Sequence, residues 1–214
     1  DEIKVFWSKL DDAKISLEIK LALKFLLVTA QRKSEVIEAE WKEFEFENKW
    51  WTIPAAKAKN KQTHRVPLTR IAIEILNEIK QVTGEYQYVF ASPVGITKRN
   101  LSRRVGTSPI LGSSVDHALR DNLIDDPETG RKNIFELNHF TPHDLRRTAA
   151  SMMTKSEIPR LTVKKLLNHS DGEVTAVYDR YEYDKEKKKA LEKWGRKLQS
   201  IISGESPVKI VDIR

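Results

Sequence analysis

The 214-residue chain is long enough for one good-sized domain or two small ones, and its net charge of +7 favours a polyanionic partner such as nucleic acid. It has no cysteine, which excludes disulfides, thiol catalysis and Cys-ligated metal or iron–sulfur sites, and is typical of a reducing cytosol. Its longest apolar run, at 21–30, is interrupted by Lys24 and is too short to cross a bilayer.

The first forty residues carry two helical patterns. Residues 2–10 predict a short amphipathic helix, and an apolar stripe predicts a buried helix from Ser16 to Ala30. The members of this stripe are Leu17, Leu21, Phe25 and Val28. We expect Ser34 to cap a short helix that begins just after Arg32.

Residues 41–68 are typical of a small antiparallel sheet. Aromatic and β-branched residues on both sides of the Asn48–Lys49 turn predict two strands, and residues 66–68 predict a return strand. These flanking residues are Trp41, Phe44, Phe46, Trp50, Trp51 and Ile53. The polar loop before the return strand carries Lys57, Lys59 and Lys61, which on their own are typical of a solvated loop.

The rest of the chain has mainly helical patterns. Thr69 should cap a helix that ends at Gly84, and another helix is expected after Thr97. Further helices are predicted over 113–124, 142–155, 160–170 and 184–202, with a surface turn at 125–133. The pattern predicts one α+β domain, mainly α-helical, with a small three-stranded antiparallel sheet.

Residues 141–151, TPHDLRRTAAS, combine a helix start with two cationic side chains. Thr141 is a good N-cap, and Asp144 lies where a capping box needs a carboxylate. His143 and Arg146 should project side by side from the first turn, where the helix dipole favours an anion. These residues alone fit a solvated helix start as well as a site for an anion.

The candidate residues suit phosphoryl transfer better than metal chemistry. Three carboxylates at 125–128 lie in a Pro/Gly turn and the five histidines are scattered, so no metal-ligand spacing is visible and we expect no metal and no cofactor. Arginine forks suit phosphate oxygens, a lysine can deliver a proton, and a tyrosine can be the oxygen nucleophile. The candidates are Arg32, a hairpin lysine, His143, Arg146, His169 and one of Tyr178, Tyr181 or Tyr183.

Over roughly residues 17–183 the chain resembles the tyrosine recombinases, or phage integrases. In that family an arginine is followed three residues later by Glu or Asp and then by a Trp-led strand, as are Arg32, Glu35 and Trp41 here. The family's hairpin lysine stands seven residues before a Val-Pro-Leu strand, which selects Lys59 over the two neighbouring lysines.

Two further signatures lie in the C-terminal half. His-x-x-Arg at a helix start is matched by His143 and Arg146, and Leu-x-His with a tyrosine nine residues on is matched by His169 and Tyr178. The two later tyrosines of the same segment stay open as rivals. The TPHDLRRTAAS stretch and the Asp-Arg-Tyr after Tyr178 look most like integrases of prophages and genomic islands.

The resemblance implies a mechanism that needs neither metal nor ATP. A tyrosine attacks the scissile DNA phosphate to give a 3′-phosphotyrosyl link and a free 5′-hydroxyl, which strand exchange later reverses. The resemblance implies that Tyr178 is the nucleophile and that Arg32, Arg146 and His169 bind the phosphate oxygens. It further implies that Lys59 is the general acid and that His143 assists deprotonation of the tyrosine.

The resemblance also implies an organisation and partners. Residues 1–203 would be the catalytic domain and residues 204–214 a tail that docks on its own domain, docks on a neighbour or stays free. The arm- and core-binding domains usual in the family are not in this sequence. Expected partners are double-stranded attachment-site DNA, three further copies in a tetramer on DNA, and excision or host architectural proteins, in the bacterial cytosol or nucleoid.

Two other functions stay open from the sequence. A type IB topoisomerase or a telomere resolvase would share this chemistry without intermolecular exchange. A basic DNA-binding module without catalysis belongs to another class, and the six chemically coherent positions argue against it, since binding needs neither a placed tyrosine nor an acid.

Overall fold

The computed structural model describes residues 2–93, 107–169 and 181–205, and within these ranges the chain is mainly helical with one small sheet. The predicted fold class is confirmed. The helices are α1 (Glu2–Asp12), α2 (Leu17–Thr29), α3 (Lys33–Ile37), α4 (Arg70–Thr83), α5 (Gly112–Asp121), α6 (Pro142–Lys155), α7 (Arg160–Leu166) and α8 (Asp184–Ser203). The strands are β1 (Phe44–Glu45), β2 (Trp50–Ile53) and β3 (His64–Pro67).

Helix α2 lies at the centre of the core, in contact with α4, α6 and α8. Its residues from Leu21 to Thr29 are all buried, and all of them except Lys24 and Thr29 are apolar, as expected for a helix that is covered all round. The predicted stripe is wrong at Leu17, which is 37% exposed because it is the first residue of the helix, at the margin of the core.

Helix α3 begins two residues earlier than predicted, with Arg32 rather than Ser34 at the N-cap. The reason is Glu35, whose carboxylate accepts the backbone N–H of Arg32 at 3.0 Å and its guanidinium at 2.9 Å. This pairing fixes the start of the helix and leaves Ser34 inside it.

The sheet has the order β1-β2-β3 with antiparallel pairs, and the stacked rings of Phe44 and Trp51, 5.4 Å apart, cover its inner face. The predicted strand at Trp41 is wrong, because Trp41 opens a 3₁₀ turn over Trp41–Glu43. Its indole N–H donates to the Thr83 carbonyl at the end of α4, which draws this segment out of the sheet.

The loop between β2 and β3, residues 54–63, is anchored at its base by a nearly buried ion cluster. Lys57 Nζ donates to the Glu38 carbonyl at 2.6 Å, to Glu40 at 2.8 Å and to Glu43. Glu43 also accepts the indole N–H of Trp51 at 3.1 Å, so every buried charge in the cluster has a partner.

The C-terminal half follows the predicted order with shifted boundaries. Helices α6 and α8 and the turn at 125–133, closed by an Asp126–Arg131 bridge, agree with prediction. Helix α7 ends at Leu166, before the predicted end at His169–Ser170, because Asn168 adopts the left-handed conformation with φ of 50°.

Two predicted segments fall outside the described residues: the helix after Thr97 and the tail beyond Glu205. In the described part of the chain, no helix is long and apolar enough to span a bilayer.

His64, buried in β3, makes the stability of the fold depend on pH. Its Nε2 donates to the Leu166 carbonyl at 3.0 Å, since a carbonyl can only accept. Burial, with the charges of Lys187, Arg146 and Arg32, lowers the pKa of His64 to about 3. Between pH 6.5 and 3 the unfolded chain therefore binds a proton at His64 that the folded chain does not, so acid favours unfolding.

We expect the His64→Gln variant to lose this part of the pH dependence, because glutamine keeps the donor and cannot be protonated. From pH 7.5 to pH 5, the wild-type free energy of unfolding should fall by about 2 kcal/mol more than that of the variant. Urea unfolding at both pH values measures this, with the exposed His139→Gln as control. Equal losses in His64→Gln and wild type would contradict the prediction.

Candidate active site

An open cleft of about 860 Å³ gathers five of the six predicted residues. They come from α3, the β2–β3 loop, α6 and the end of α7: Arg32, Lys59, His143, Arg146 and His169. The sixth predicted residue, Tyr178, lies outside the described residues.

Arg146 is the most deeply placed of the five, with 3% of its surface exposed. Its Nη1 donates to the Ala30 carbonyl at 2.7 Å and its Nη2 to the Leu167 carbonyl at 2.5 Å. Both carbonyls lie at the C-terminal ends of helices, α2 and α7, where the helix dipole favours a cation. Burial, with the nearby charge of Arg32, lowers the pKa of Arg146 to about 10, so it stays protonated at neutral pH.

Arg32 stands beside it with a 20% exposed side chain. Nη1 pairs with the fully buried Glu35 carboxylate at 2.9 Å, and Nη2 donates to the Asn168 carbonyl at 3.0 Å. The guanidinium is therefore held on both sides, and its remaining N–H groups are available to a ligand in the cleft.

The end of α7 organises this part of the site, because three successive carbonyls point at side chains from elsewhere in the chain. Leu167 and Asn168 accept from the two arginines, and Leu166 accepts from Gln31 Nε2 at 3.1 Å and from His64. Gln31 and His64 were not among the predicted site residues, and no local motif marks either of them. Asn168 was not predicted either, although an asparagine just after a helix is a signal that could have identified it.

The opening of α6 lines the cleft as its sequence predicted. The Asp144 carboxylate accepts the backbone N–H of Thr141 at 3.0 Å and its hydroxyl at 2.7 Å, which fixes the first turn. His143 is exposed at the mouth of the cleft while Arg146 lies at its base. The two therefore share the cleft at different depths, beside a helix N-terminus that favours an anion.

Of the three hairpin lysines, Lys59 is the one that lines the cleft. Lys57 points away into its carboxylate cluster, where burial opposes its charge but hydrogen bonds to Glu40 and Glu43 outweigh that effect and raise its pKa. A lysine held in this way is a poor proton donor. Lys59 is exposed, and within the described ranges it has no hydrogen bond or ion pair that would occupy its ammonium group.

His169 follows Asn168, and its backbone N–H donates to the Lys164 carbonyl at 3.1 Å. Its pKa is lowered by burial and then by the charges of Arg146, Arg32, Lys164 and His143. The ring is therefore neutral at pH 7.5 in the free protein and can donate one N–H to a ligand.

The two rival tyrosines lie elsewhere. Tyr181 is 55% exposed and packs edge-on against Tyr183, and neither is among the residues that line the cleft. Desolvation and a hydrogen bond to Glu186 raise the pKa of Tyr181, which opposes the deprotonation that a nucleophile needs.

The cleft is strongly cationic. Among the described lining residues, five are lysine or arginine and two are histidine, against the single carboxylate of Asp116, which pairs with Lys33 at 2.5 Å. In the same part of the chain, no cluster of three or more His, Cys, Asp or Glu side chains has the arrangement of a metal site. Such a cleft fits a phosphate group on an extended ligand.

The model of the phage integrase family matches residues 1–185. The chain belongs to this family. Membership of this family, which the Arg, Lys, His-x-x-Arg and Leu-x-His motifs predicted, is thereby confirmed.

Relatives of this integrase-family chain include the prophage integrase IntA of Escherichia coli (strain K12), 26% identical over 95% of this chain and 44% of IntA. The tyrosine recombinase XerA of Pyrococcus furiosus is 26% identical over 90% of this chain and 59% of XerA. This chain thus spans less than half of IntA and about three fifths of XerA.

The fold of this integrase-family chain is also found in solved structures. The pre-cleavage complex of the XerH site-specific recombinase bound to difH substrate superposes with a TM-score of 0.56 at 19% identity. The match covers 84% of this chain and 48% of XerH.

We expect His169 in this integrase-family chain to titrate below 6.5 when free, and its pKa to rise when a phosphodiester anion enters the cleft. The anion offsets the surrounding positive charge and stabilises the imidazolium form. NMR titration of the imidazole signals with and without dimethyl phosphate measures the shift, with the His139 ring, outside this cleft, as reference. A pKa at or above 6.5 in the free protein, or no rise with the anion, would contradict this electrostatic picture.

Proposed function

We propose that this chain is the catalytic domain of a tyrosine-type site-specific DNA recombinase, an integrase that inserts or excises a mobile element. The observation that carries the proposal is the convergence of Arg32, Lys59, His143, Arg146 and His169 on one cationic cleft. Binding alone would need only the positive charge. A buried arginine, an exposed lysine and a histidine that is neutral in the free protein, all around the same cleft, suit phosphoryl transfer.

In the proposed mechanism the two arginines bind the non-bridging oxygens of the scissile phosphate. Arg146 and Arg32 are oriented by carbonyls and by Glu35, so their free N–H groups need little reorganisation as charge develops on phosphorus. The ring of His169 adds a further N–H to the same oxygens.

The proposed chemical step is an in-line displacement. Tyr178 Oη forms a bond to phosphorus while the bond from phosphorus to the 5′-oxygen breaks, which leaves a 3′-phosphotyrosyl link. The tyrosine proton leaves with the help of His143, and Lys59 Nζ gives a proton to the departing 5′-oxygen. Attack of another 5′-hydroxyl reverses these events and rejoins the strand, so no high-energy cofactor is consumed.

We further propose attachment-site DNA as the substrate and a tetramer on DNA as the working assembly, with this protein in the bacterial cytosol or nucleoid. The related XerH recombinase is described in complex with its difH substrate, and a lambda integrase dimer is described bound to a core site. The net charge of +7 and the cationic cleft support a DNA partner for this chain.

Replacing Tyr178 by Phe should abolish covalent attachment while DNA binding remains, because only the attacking oxygen is removed. A pool of nicked DNA duplexes of random sequence supplies the suicide substrates. Denaturing gels then detect the covalent protein–DNA adduct. Tyr181→Phe and Tyr183→Phe are matched controls that should still form it. An adduct that persists in Tyr178→Phe and disappears in either control would move the nucleophile to that residue.

Adduct formation should survive EDTA at concentrations that strip divalent metals, since the arginines and Lys59 supply the charge that a metal would otherwise provide. The measurement is the single-turnover cleavage rate before and after chelation. A rate that falls with EDTA and returns with added Mg²⁺ would contradict the metal-free mechanism.

A further inference from the structure

A reciprocal amide pair joins the two segments that carry Lys59 and His169. Asn60 Nδ2 donates to Asn168 Oδ1 at 2.7 Å, and Asn168 Nδ2 donates back to Asn60 Oδ1 at 3.2 Å. Asn60 directly follows Lys59, and Asn168 directly precedes His169. The pair therefore connects the neighbours of two residues proposed to act on the same phosphate.

The Asn168 end of this pair is tied to the phosphate-binding side of the cleft. Its carbonyl accepts from Arg32 Nη2 at 3.0 Å, and its backbone N–H donates to the Lys165 carbonyl at 3.1 Å. Its φ of 50° is in the left-handed region, which asparagine tolerates better than most residues with a side chain. One residue thus holds the arginine with its backbone and the lysine loop with its side chain.

The Asn60 end is the anchor nearest to Lys59. The loop is held at its base by Lys57 and by the buried Ala58, while Lys59, Lys61 and Gln62 are exposed. Asn60 Oδ1 also accepts the backbone N–H of Gln62 at 3.2 Å, so the side chain shapes the loop as well as docking it.

A lysine side chain has four flexible bonds, and a proton donor must reach hydrogen-bond distance of the leaving oxygen. Fixing the Lys59 backbone reduces the space that its ammonium group must search, at the wall of the same cleft that Arg32 lines. A side-chain amide has its donor and its acceptor on separate atoms, which allows two reciprocal hydrogen bonds between two identical residues.

We propose that Asn60 and Asn168 are positioning residues that hold the general-acid Lys59 against the arginine-bound phosphate. This inference rests on the proposed function. It adds a contact that no catalytic motif of the sequence contains, and it predicts a defect specific to proton delivery to the leaving group.

The test compares two nicked suicide substrates in single-turnover cleavage by the full chain. One has the normal bridging 5′-oxygen at the scissile phosphate, and the other has sulfur at that position. A thiolate is a much weaker base than an alkoxide and leaves without a proton, so sulfur removes the need for a general acid.

The variants are Asn60→Ala and Asn168→Gly, since glycine accepts the left-handed backbone and removes only the side chain. We expect each to slow cleavage of the oxygen substrate by roughly 10- to 100-fold and of the sulfur substrate by less than about 3-fold. The double variant should be no slower than either single variant, because both remove the same contact. Lys59→Ala should show the same pattern more strongly.

Gln62→Ala is the matched control, because its side chain is exposed in the same loop and Gln62 contributes a backbone N–H. It should cleave both substrates at the wild-type rate. Thermal melting checks that Asn60→Ala and Asn168→Gly remain folded.

Three results would overturn the inference and leave the proposed recombinase function standing, although the third would also remove Lys59 as the general acid. They are wild-type rates in both Asn variants, equal slowing on oxygen and sulfur substrates, and a Lys59→Ala defect that sulfur does not relieve. If the wild-type chain forms no adduct with either substrate, the proposed function fails, and this inference fails with it.

Discussion

The site depends on placing two guanidinium groups side by side in one cleft, one of them buried. Burying a charge costs several kcal/mol, and a second like charge adds to that cost. The chain offsets it with backbone carbonyls: Ala30 and Leu167 accept from Arg146, and Asn168 accepts from Arg32. Each charge-assisted hydrogen bond returns about 1.5–3 kcal/mol, so the pair is tolerated, and an anion in the cleft would stabilise it further.

These carbonyls are available because two helices end in the same place. Helix α2 ends at Ala30 with φ of 57°, and the turn after α7 has Asn168 at φ of 50°. Each left-handed residue stops its helix and leaves terminal carbonyls without helical partners, which is where a cation is favoured. Arginine suits this arrangement because its fork donates to carbonyls at one edge and keeps further N–H groups for a phosphate, as a lysine could not.

Local signals predicted the parts of the fold that local contacts decide. Helix α6 was placed to the residue, because Thr141 and Asp144 mark its start and Ile158–Pro159 follows its end. Ser34 and Trp41 were misplaced because Glu35 and the distant Thr83 carbonyl decide what those segments do. The site divides in the same way. Spacing selected the cationic residues, while contacts such as Arg146–Ala30 and Arg32–Asn168 join positions 116 and 136 residues apart and leave no periodic trace.

The contacts that hold the two arginines in place differ in kind from those that hold the Lys59 loop. The arginines are held mainly by backbone carbonyls and a buried carboxylate, which persist as long as α2, α3 and α7 are folded. On the far side of Lys59 from its Lys57 and Ala58 anchors, the loop meets the end of α7 through a pair of side-chain amides, which can separate without unfolding any helix. In the proposed mechanism, phosphate binding and proton delivery would therefore be separable. The first would depend on the core, and the second on a contact that can open while the core stays folded.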